Sequence, residues 1–388
     1  MSVMTTIDES VWGTRTDSVS ALERELARLR RSSGAHAKEQ GVPVARASVL
    51  NLVVFATREI HALRAAATID ELATRHPSRA IVIVADREPG GPPDLEMHCH
   101  LSHPDGAQQV TYEQILIRAR GPAYRRLVSA VIPLLLPDLP VFLWWTETPP
   151  LDLPYFDDLL RLADRLIVDS GDFARPDNTL PRLHAVARSG TDRYGVTDFN
   201  WTRITPWREL VMQFFDVPAW RPFLDTITGI RVGFAVDADG REIHPSQALL
   251  FVGWLASRLG WTAVESLAPS EAGGLLFAMR RPDGQEIPVR VRPRFILGLD
   301  EGDLSGLRIQ SEDGGRHAEF VVKRSDTATH ATALVTVGGR GMSERIVPLG
   351  RPGVSELLGE ELTIARSDSI YEDALAALVA LTRWHARS

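Results

Sequence analysis

The segment HCHLSH contains the densest group of potential metal ligands in the sequence: His98, Cys99, His100 and His103. Imidazole nitrogens and thiolate sulfur are preferred ligands of Zn²⁺, and a structural zinc site takes four of them. Successive side chains of a strand point to opposite faces, so the cysteine would face away from its two histidine neighbours. No second cluster in the sequence supplies the missing ligands. We therefore predict an ordinary strand here and no metal site.

Glycine clusters offer a second kind of chemistry, because the backbone N–H groups of a glycine-rich loop can hold phosphate. Gly338, Gly339 and Gly341 have that composition, but they lie between two predicted strands with no helix after them, which favours a hairpin turn. The first buried strand is followed by ATREIH, without the glycines of a dinucleotide site. Neither G-x-x-x-x-G-K-[ST] nor G-x-S-x-G occurs in the sequence. No cofactor is predicted.

Reacting groups at a meaningful spacing are missing from the sequence, whether a carboxylate pair, a nucleophile with its base or a full metal set. Catalytic groups often assemble from distant positions, so this observation has little weight by itself. Together with the tryptophan-rich segment described next, it favours a binding protein over an enzyme. No catalytic residue is predicted.

The segment DFNWTRITPWRELVMQFFD, 198–216, is the most distinctive stretch of the sequence. Trp201 and Trp207 each have an arginine close by, Arg203 and Arg208. A proline before the second tryptophan suits a first helical turn, and the apolar positions that follow predict a helix with one buried face. Tryptophan and arginine are enriched at binding hot spots, but they also occur at seams between domains. The sequence leaves both interpretations open.

Buried strands alternate with helices over residues 48–170. Continuous apolar runs such as SVLNLVVFA (48–56) and AIVIVAD (80–86) are typical of strands covered on both faces, and VFLWWT (141–146) and LIVDS (166–170) resemble them. The segments LEMHCHLS and QVTYEQILIRA alternate instead, which predicts an edge pair. This part is predicted to be α/β, an open and mostly parallel sheet with helices on both faces.

Short strands separated by turns dominate the later part of the sequence, where RPDGQ, SEDGGR and GGRG punctuate alternating segments. The pattern predicts an antiparallel sheet in an α+β domain. The predicted domains are an N-terminal helix and linker (1–46), a parallel-sheet domain (47–180) and an α+β domain (181–388) that opens with the tryptophan segment. The linker is expected to begin at residue 32.

Ligands of open parallel sheets bind in the crevice beyond the carboxyl ends of the strands. The residues that follow the predicted strands are Thr57, Arg58, Asp86, Arg87, Thr146, Glu147, Asp169 and Ser170. Their mixed charges suit a small ligand, and they equally suit helix caps and surface charges. The crevice is therefore the alternative to a protein-binding surface.

Composition restricts the class of partner. The 388 residues carry a formal net charge of −7, which disfavours nucleic acid as the main partner. Cys99 is the only cysteine, so no disulfide can form within the chain, and this usage fits a reducing cytoplasm. The N-terminal and most apolar segments predict neither a leader peptide nor a membrane span.

Five blocks, in this order, carry a resemblance to a known family: HPSRAIVIV (76–84), VIPLLLPDLPVFLWW (131–145), DFNWTRITPWRE (198–209), GWLASRLG (253–260) and IYEDAL (370–375). They resemble the glucose-6-phosphate dehydrogenase assembly protein, the OpcA family. The resemblance implies a cytoplasmic, non-enzymatic protein that binds glucose-6-phosphate dehydrogenase and promotes its oligomeric assembly. It also implies a positive allosteric effector in the oxidative pentose phosphate pathway.

The resemblance focuses the site prediction on three of these blocks. The predicted partner-binding residues are Trp201, Arg203, Trp207, Arg208, Asp138, Trp144, Trp145, His76 and Arg79. The alternative is a phosphosugar-binding sensor or enzyme that uses the crevice. Cysteines of cyanobacterial members are linked to redox control, but with Cys99 alone an internal thiol switch is excluded, and a mixed or intersubunit disulfide stays open. Self-association is also left open.

Overall fold

The computed structural model describes residues 16–39, 48–86, 94–102, 112–190, 193–239, 245–264, 267–271, 273–363 and 367–382. The chain divides into two compact units, each built from several stretches. Unit 1 comprises Met1–Asp172, Ser189–Thr197 and Gly353–Ser367, and unit 2 comprises Phe173–Arg188, Asp198–Pro352 and Asp368–Ser388. The boundary predicted after residue 180 falls inside a helix, Pro176–Ser189. The three predicted domains otherwise stay a prediction.

Unit 1 is built on a seven-stranded sheet in the part of the chain that the structure describes. Its strands are β1 (Leu50–Ala56), β2 (Ser78–Asp86), β3 (Asp94–Ser102), β4 (Tyr112–Arg120), β5 (Val141–Trp145), β6 (Arg165–Val168) and β7 (Gly195–Asp198). They follow the order β3-β4-β2-β1-β5-β6-β7. β1 pairs in parallel with β2 and β5, as do β2 with β4 and β5 with β6, while β3 and β4 form an antiparallel edge pair. The predicted sheet and its edge pair are confirmed.

The apolar runs of the sequence explain why the strands of this sheet are buried. Every residue of β1 is buried, because its continuous apolar side chains face covered layers on both sides. The helices of unit 1 are α1 (Val19–Glu39), α2 (Glu59–Leu72), α3 (Leu127–Val131), α4 (Pro154–Leu160) and α9 (Val354–Glu361). Helix α2 buries small residues such as Ala62 and Ala65 together with Ile69 and Leu72.

Two predicted elements of unit 1 need correction. The linker expected from residue 32 begins later, because α1 continues to Glu39, and residues 40–47 lie outside the described residues. The helix predicted over 124–135 is short: 3₁₀ turns at Gly121–Arg126 and Ile132–Leu134 flank α3. Pro133 has no backbone N–H to donate, so an α-helix cannot continue through it without losing a hydrogen bond.

Unit 2 is built on a nine-stranded, mostly antiparallel sheet, counted over the described residues. Its strands are β8 (Ile227–Ala235), β9 (Thr262–Ala263), β10 (Ala268–Pro269), β11 (Leu275–Arg280), β12 (Glu286–Arg294), β13 (Leu304–Asp313), β14 (Arg316–Arg324), β15 (His330–Val337) and β16 (Arg340–Pro348). The order is β10-β11-β12-β8-β13-β14-β15-β16, with β9 paired to β11. β12 and β8 are parallel neighbours. The predicted antiparallel character is confirmed for the sheet as a whole.

The glycines singled out as a possible phosphate loop form the turn between β15 and β16. Gly338 and Gly339 have φ values of 57° and 74°. A two-residue turn with positive φ at both positions matches the twist of a hairpin and favours glycine. The predicted hairpin turn is therefore confirmed.

The helices of unit 2 are α5 (Pro176–Ser189), α6 (Phe199–Arg203), α7 (Thr205–Phe215), α8 (Ser246–Leu259) and α10 (Ser369–Thr382). Helix α7 packs on the apolar face of the sheet, where the rings of Phe214 and Phe215 lie 5.6 and 4.7 Å from the ring of Phe320. Among the described residues, no helix is both long enough and apolar enough to cross a membrane.

Candidate functional site

The crevice at the carboxyl ends of β1 and β5 is occupied by a side chain of the protein itself. The backbone N–H of Thr57 donates to Oε2 of Glu147 at 2.7 Å, and the Thr57 hydroxyl donates to the same oxygen. Nε of Arg58 donates to Oε1 at 3.3 Å, and Nδ1 of His61 lies 3.1 Å from that oxygen. The carboxylate thus sits beside the amino end of α2, where a phosphate would otherwise find N–H donors.

Electrostatics stabilise this arrangement. Burial by itself would raise the pKa of Glu147, but the hydrogen bonds from Thr57 and the charges of His61 and Arg58 leave that pKa below its ordinary value. Glu147 is therefore an anion at neutral pH. An incoming phosphosugar would have to displace this charge or meet its repulsion.

Two other crevice residues form hydrogen bonds with backbone groups. The Thr146 hydroxyl donates to the carbonyl of Phe55 at 3.1 Å, and Oδ1 of Asp169 accepts from the N–H of Gly171 at 3.0 Å. Ser170 is fully buried in the turn that follows β6. Asp86 ends β2, and Arg87 lies outside the described residues. These contacts are to nearby backbone groups, and the choice between a ligand crevice and helix caps stays a prediction.

Two of the predicted partner-binding blocks meet at the opposite edge of the same sheet. The N–H of Val49 donates to the carbonyl of Pro77 at 2.9 Å, and the N–H of Asn51 donates to the carbonyl of Pro140 at 2.8 Å. The Asn51 side chain also binds the backbone of Leu136 at 2.8 and 3.0 Å. The HPSR segment and the LPDLP turn therefore flank the start of β1.

At that edge, Arg79 is a buried residue whose contacts link neighbouring elements of unit 1. It is 4% exposed. Its guanidinium lies 2.6 Å from the carboxylate of Glu113 and donates to the carbonyl of Leu134 at 2.8 Å. Burial would raise the pKa of Glu113, but Arg30 and Arg79 together hold it below the ordinary value. The network ties α1, β2 and β4 together.

The surface of this edge comes from its neighbours. Asp138 is exposed, with a φ of 62°, in the turn before β5. Ile132 is 51% exposed just upstream. His76 is half-buried, and burial together with the charge of Arg75 lowers its pKa, so its ring is neutral at pH 7. These groups are the accessible part of the two blocks.

The tryptophans of β5 belong to the core of unit 1. Trp144 and Trp145 are 5% and 1% exposed and point to opposite faces of the sheet. The ring of Trp145 stacks on Phe55 at 3.9 Å and meets Phe156 edge-on at 5.2 Å. Any contact of these two rings with a partner would need a rearrangement, and their predicted role in partner binding stays a prediction.

The tryptophan segment of unit 2 forms an internal pair. The guanidinium of Arg208 lies 3.5 Å from the ring centre of Trp201 and donates to the Thr205 hydroxyl at 2.7 Å. The indole Nε1 of Trp201 donates to Oδ2 of Asp368 at 2.8 Å. Oδ1 of Asp368 accepts the N–H groups of Ile370 and the next residue, which begins α10. The pair therefore joins α6, α7 and α10 within unit 2.

Arg203 begins a second, mostly buried network. Its Nη1 donates to Oδ1 of Asn200 at 2.9 Å, and the same oxygen accepts from Nε2 of Gln247 at 3.1 Å. Gln247 also donates to Oδ1 of Asp303 at 3.0 Å, and Arg351 lies 2.5 Å from the other oxygen of that carboxylate. The chain of contacts connects α6 and α8 to the start of β13.

Trp207 is 1% exposed, and the guanidinium of Arg324 lies 5.3 Å from its ring centre. What the segment offers to solvent is the outer face of α7. That face carries Glu209, Met212 and Gln213, with the methionine 50% exposed. The sequence predicted a helix with one buried face, but it did not single out these exposed residues as site candidates, because scattered polar residues on a helix carry no distinctive signal.

Thiol and metal chemistry find little support in the described residues. Cys99 is 1% exposed, and burial, aided by Glu25 and Glu113, raises its pKa to about 12. A thiol that stays protonated and covered is a poor nucleophile. Across the described ranges, no group of three or more His, Cys, Asp or Glu is placed to hold a metal, and His103 lies outside them.

Comparison with protein families gives two adjoining matches. Residues 69–185 match the family described as "Glucose-6-phosphate dehydrogenase subunit N-terminal domain", and residues 194–375 match the corresponding C-terminal domain. These two families are those of OpcA. The matches cover the sheet of unit 1 from α2 onward and most of unit 2.

Curated relatives agree with these matches. Two proteins named "Putative OxPP cycle protein OpcA" are each 28% identical to this chain: one from Synechocystis sp. over 320 residues (80% of this chain) and one from Nostoc punctiforme over 314 residues (79%). This chain spans 65% of the length of each relative. Among solved structures, levoglucosan dehydrogenase with NADH and L-sorbose gives a TM-score of 0.49 at 13% identity, covering 88% of this chain and 98% of that chain. A likeness at that level carries no conclusion about activity.

Proposed function

This chain belongs to the OpcA family, and from that premise we propose that it binds glucose-6-phosphate dehydrogenase directly and raises its activity. It acts without chemistry of its own, as an assembly factor and positive allosteric effector in the oxidative pentose phosphate pathway of the cytoplasm. The observation that carries the proposal is the family match, which names that dehydrogenase over both units of the chain.

The crevice supports a binding role over a catalytic one. The donors that a phosphosugar would need at the end of β1 are already used by Glu147, whose carboxylate accepts from Thr57 and Arg58. In addition, the described residues show no reactive thiol. The phosphosugar alternative is therefore disfavoured, and it becomes an outcome of the test.

The energy that the proposed effect requires is small. An effector shifts an enzyme between conformations only by its difference in affinity for them. A tenfold shift needs about 1.4 kcal/mol of differential binding, which a single well-placed aromatic or arginine contact can supply. Reciprocally, a ligand that favours the active dehydrogenase should tighten the complex by the same factor.

The residues proposed to serve the partner divide by exposure. In unit 1 the accessible groups are His76 and Asp138, with Arg79, Trp144 and Trp145 supporting them from within. In unit 2 the partly exposed groups are Arg203 and Arg208, supported by Trp201 and Trp207. A direct contact with the partner is proposed for the accessible and partly exposed groups. An indirect effect is proposed for the buried residues that support them.

The test is the velocity of the cognate dehydrogenase against glucose 6-phosphate, with and without an equimolar amount of this protein. We expect a lower apparent KM or a higher kcat when the protein is present. Activity that persists after its removal would indicate assembly help without bound effector action. Unchanged kinetics would contradict the proposal, and micromolar binding of glucose 6-phosphate by this protein alone, in isothermal titration calorimetry, would favour the crevice instead.

A further inference from the structure

Three arginines stand side by side on the sheet of unit 2. Arg290 of β12 is the register partner of Arg231 of β8, and Arg231 is in turn opposite Arg308 of β13. Neighbouring strands lie about 4.8 Å apart, so the three Cα atoms span roughly 10 Å across the sheet. The row therefore concentrates three positive charges on adjacent strands.

The row lies on the open face of the sheet. The residues between these arginines along the strands, such as Val289, Val232 and Ile309, are at most 1% exposed and point to the helix-covered face. Arg231 and Arg290 are exposed, and the side chain of Arg308 is 42% exposed. Side chains of the arginine row consequently reach solvent.

Like charges directly opposite each other destabilise a sheet, so the row costs folding energy unless carboxylates offset it. Arg308 has one such partner, Glu319, at 3.4 Å. Within the described ranges, no carboxylate forms an ion pair with Arg231, Arg290 or the neighbouring Arg292. Of the other acids of this face, Glu286 pairs with Arg280 at 2.8 Å and Glu312 pairs with His317 at 3.3 Å, while Glu344 stands opposite Leu334 on the edge strand.

The next row along the strands extends the positive surface, with a cation at each end and two glycines between them. Arg292 is the register partner of Gly233, which is opposite Gly306, and Gly306 is opposite Lys323. Both terminal cations are exposed. The two glycines between them carry no side chain, and the buried Ser305 hydroxyl lies 2.5 Å from where a Cβ of Gly233 would stand.

The far side of the same face carries apolar side chains beside Glu344, which stands opposite Leu334. Arg308 is opposite Val321, and Val321 is opposite Leu334. Ile346 of the edge strand β16 shares this face through its pairing with Thr332, and it is 74% exposed. Cations on one half and apolar side chains on the other resemble the composition of a protein-binding surface.

We propose that this basic face, defined by Arg231, Arg290, Arg292, Arg308 and Lys323, docks an acidic surface of the partner protein. The inference rests on the proposed function, so the partner tested is glucose-6-phosphate dehydrogenase. A second copy of this chain fits less well, because the face has no unpaired acidic row to meet the arginines. A small phosphate fits less well too, because the charges are spread over a flat sheet with no enclosing walls.

The test is a pair of charge reversals, Arg231→Glu with Arg290→Glu, compared with a matched control of Arg221→Glu with Arg193→Glu. Both variants change the net charge equally, and the control arginines are exposed and belong to neither row of the basic face. Affinity for the dehydrogenase is measured by biolayer interferometry at several NaCl concentrations. Circular dichroism and Tm verify that each variant is folded.

We expect the Kd of R231E/R290E to rise about tenfold or more at low salt, with a weaker salt dependence, because the lost charges no longer steer association. The control should stay within about twofold of the unmodified protein. Inorganic phosphate should compete no better than chloride at equal ionic strength.

Three results would overturn the inference. The first is a folded R231E/R290E protein that binds the dehydrogenase as well as the control does. The second is a self-associated unmodified protein that the double reversal makes monomeric. The third is competition by inorganic phosphate beyond its ionic strength. If the unmodified protein does not bind the dehydrogenase at all, the proposed function itself has failed.

Discussion

At the scale of single residues, the tryptophan–arginine segment connects three helices, α6, α7 and α10, within unit 2. Its motif could be recognised from the sequence because tryptophan and arginine are rare in such density. Its partner could not, because Asp368 is 167 positions away from Trp201 along the chain and only the fold brings them together. The structure shows both rings buried, and a role of this segment in binding a partner stays a prediction.

Replacing Trp201 with phenylalanine should destabilise the protein. The change removes the indole N–H that Asp368 accepts and weakens the stacking of Arg208, while an aromatic ring remains in place. A buried hydrogen bond to a charged group and a close cation–π contact predict a loss of about 1–3 kcal/mol in the free energy of unfolding. Urea denaturation followed by circular dichroism measures it.

Trp220→Phe is the control for this change, because the structure gives the Trp220 indole N–H no hydrogen bond among the described residues and leaves the ring partly exposed. Its free energy of unfolding should change by less than about 1 kcal/mol. Equal losses in the two variants would mean that the Asp368 bond contributes nothing specific.

Cys99 should be inert in the folded protein. Its pKa is raised to about 12, so the thiol stays protonated through neutral and mildly alkaline pH, and its side chain is covered. Ellman's reagent at pH 8 should therefore label less than about a tenth of the protein until denaturant is added. Rapid labelling of the native protein would contradict this expectation and would reopen a mixed or intersubunit disulfide.

At the scale of elements, residue type and periodicity predicted the strands better than the helices. The strands of unit 1 stand out because continuous apolar runs suit only a sheet covered on both faces. Helix α5 was not predicted, because PDNTLPRLHAVARS is polar and carries Pro181 inside the helix. Helix α9 is short, eight residues, and its sequence carries few periodic apolar positions.

The GWLASRLG block takes part in a close contact between two helices that its sequence does not reveal. A Cβ added to Gly253 would lie 2.3 Å from the carbonyl oxygen of Ala374, so α8 and α10 approach each other backbone to backbone at this position. Periodicity alone predicts a buried helix there. It cannot predict the close approach, which depends on a partner helix more than a hundred residues later.

Gly253→Ala should destabilise unit 2. Alanine favours a helix over glycine by about 0.5–1 kcal/mol, but the new methyl group would collide with a backbone atom that cannot rotate away. Overpacking of this kind typically costs about 1–3 kcal/mol, so the collision should dominate the sign. Thermal unfolding reports the change.

Gly350→Ala is the matched control, because a Cβ at Gly350 would have no atom within 4 Å and its φ is not in the positive region. Its Tm should stay within about 2 °C of the unmodified protein. A Gly253→Ala protein as stable as this control would show that the two helices separate at little cost.

At the scale of the whole molecule, two compact units are built from interleaved stretches of the chain, and the crevice at the carboxyl ends of β1 and β5 holds the carboxylate of Glu147. The fold class followed from the sequence because the change from continuous to alternating apolar patterns is easy to detect. Strand order and the arginine row did not, because register across strands depends on pairings between distant segments. The basic residues are scattered along the sequence, and the pairing of the strands brings them together on one face of the sheet.

The central claim is direct binding to glucose-6-phosphate dehydrogenase. It is tested most directly by sedimentation velocity of this protein mixed with its cognate dehydrogenase, compared with each protein alone. Direct binding predicts a new, faster boundary that contains both proteins and grows with their concentrations. Two separate boundaries at the positions of the individual proteins, at every concentration up to tens of micromolar, would contradict it.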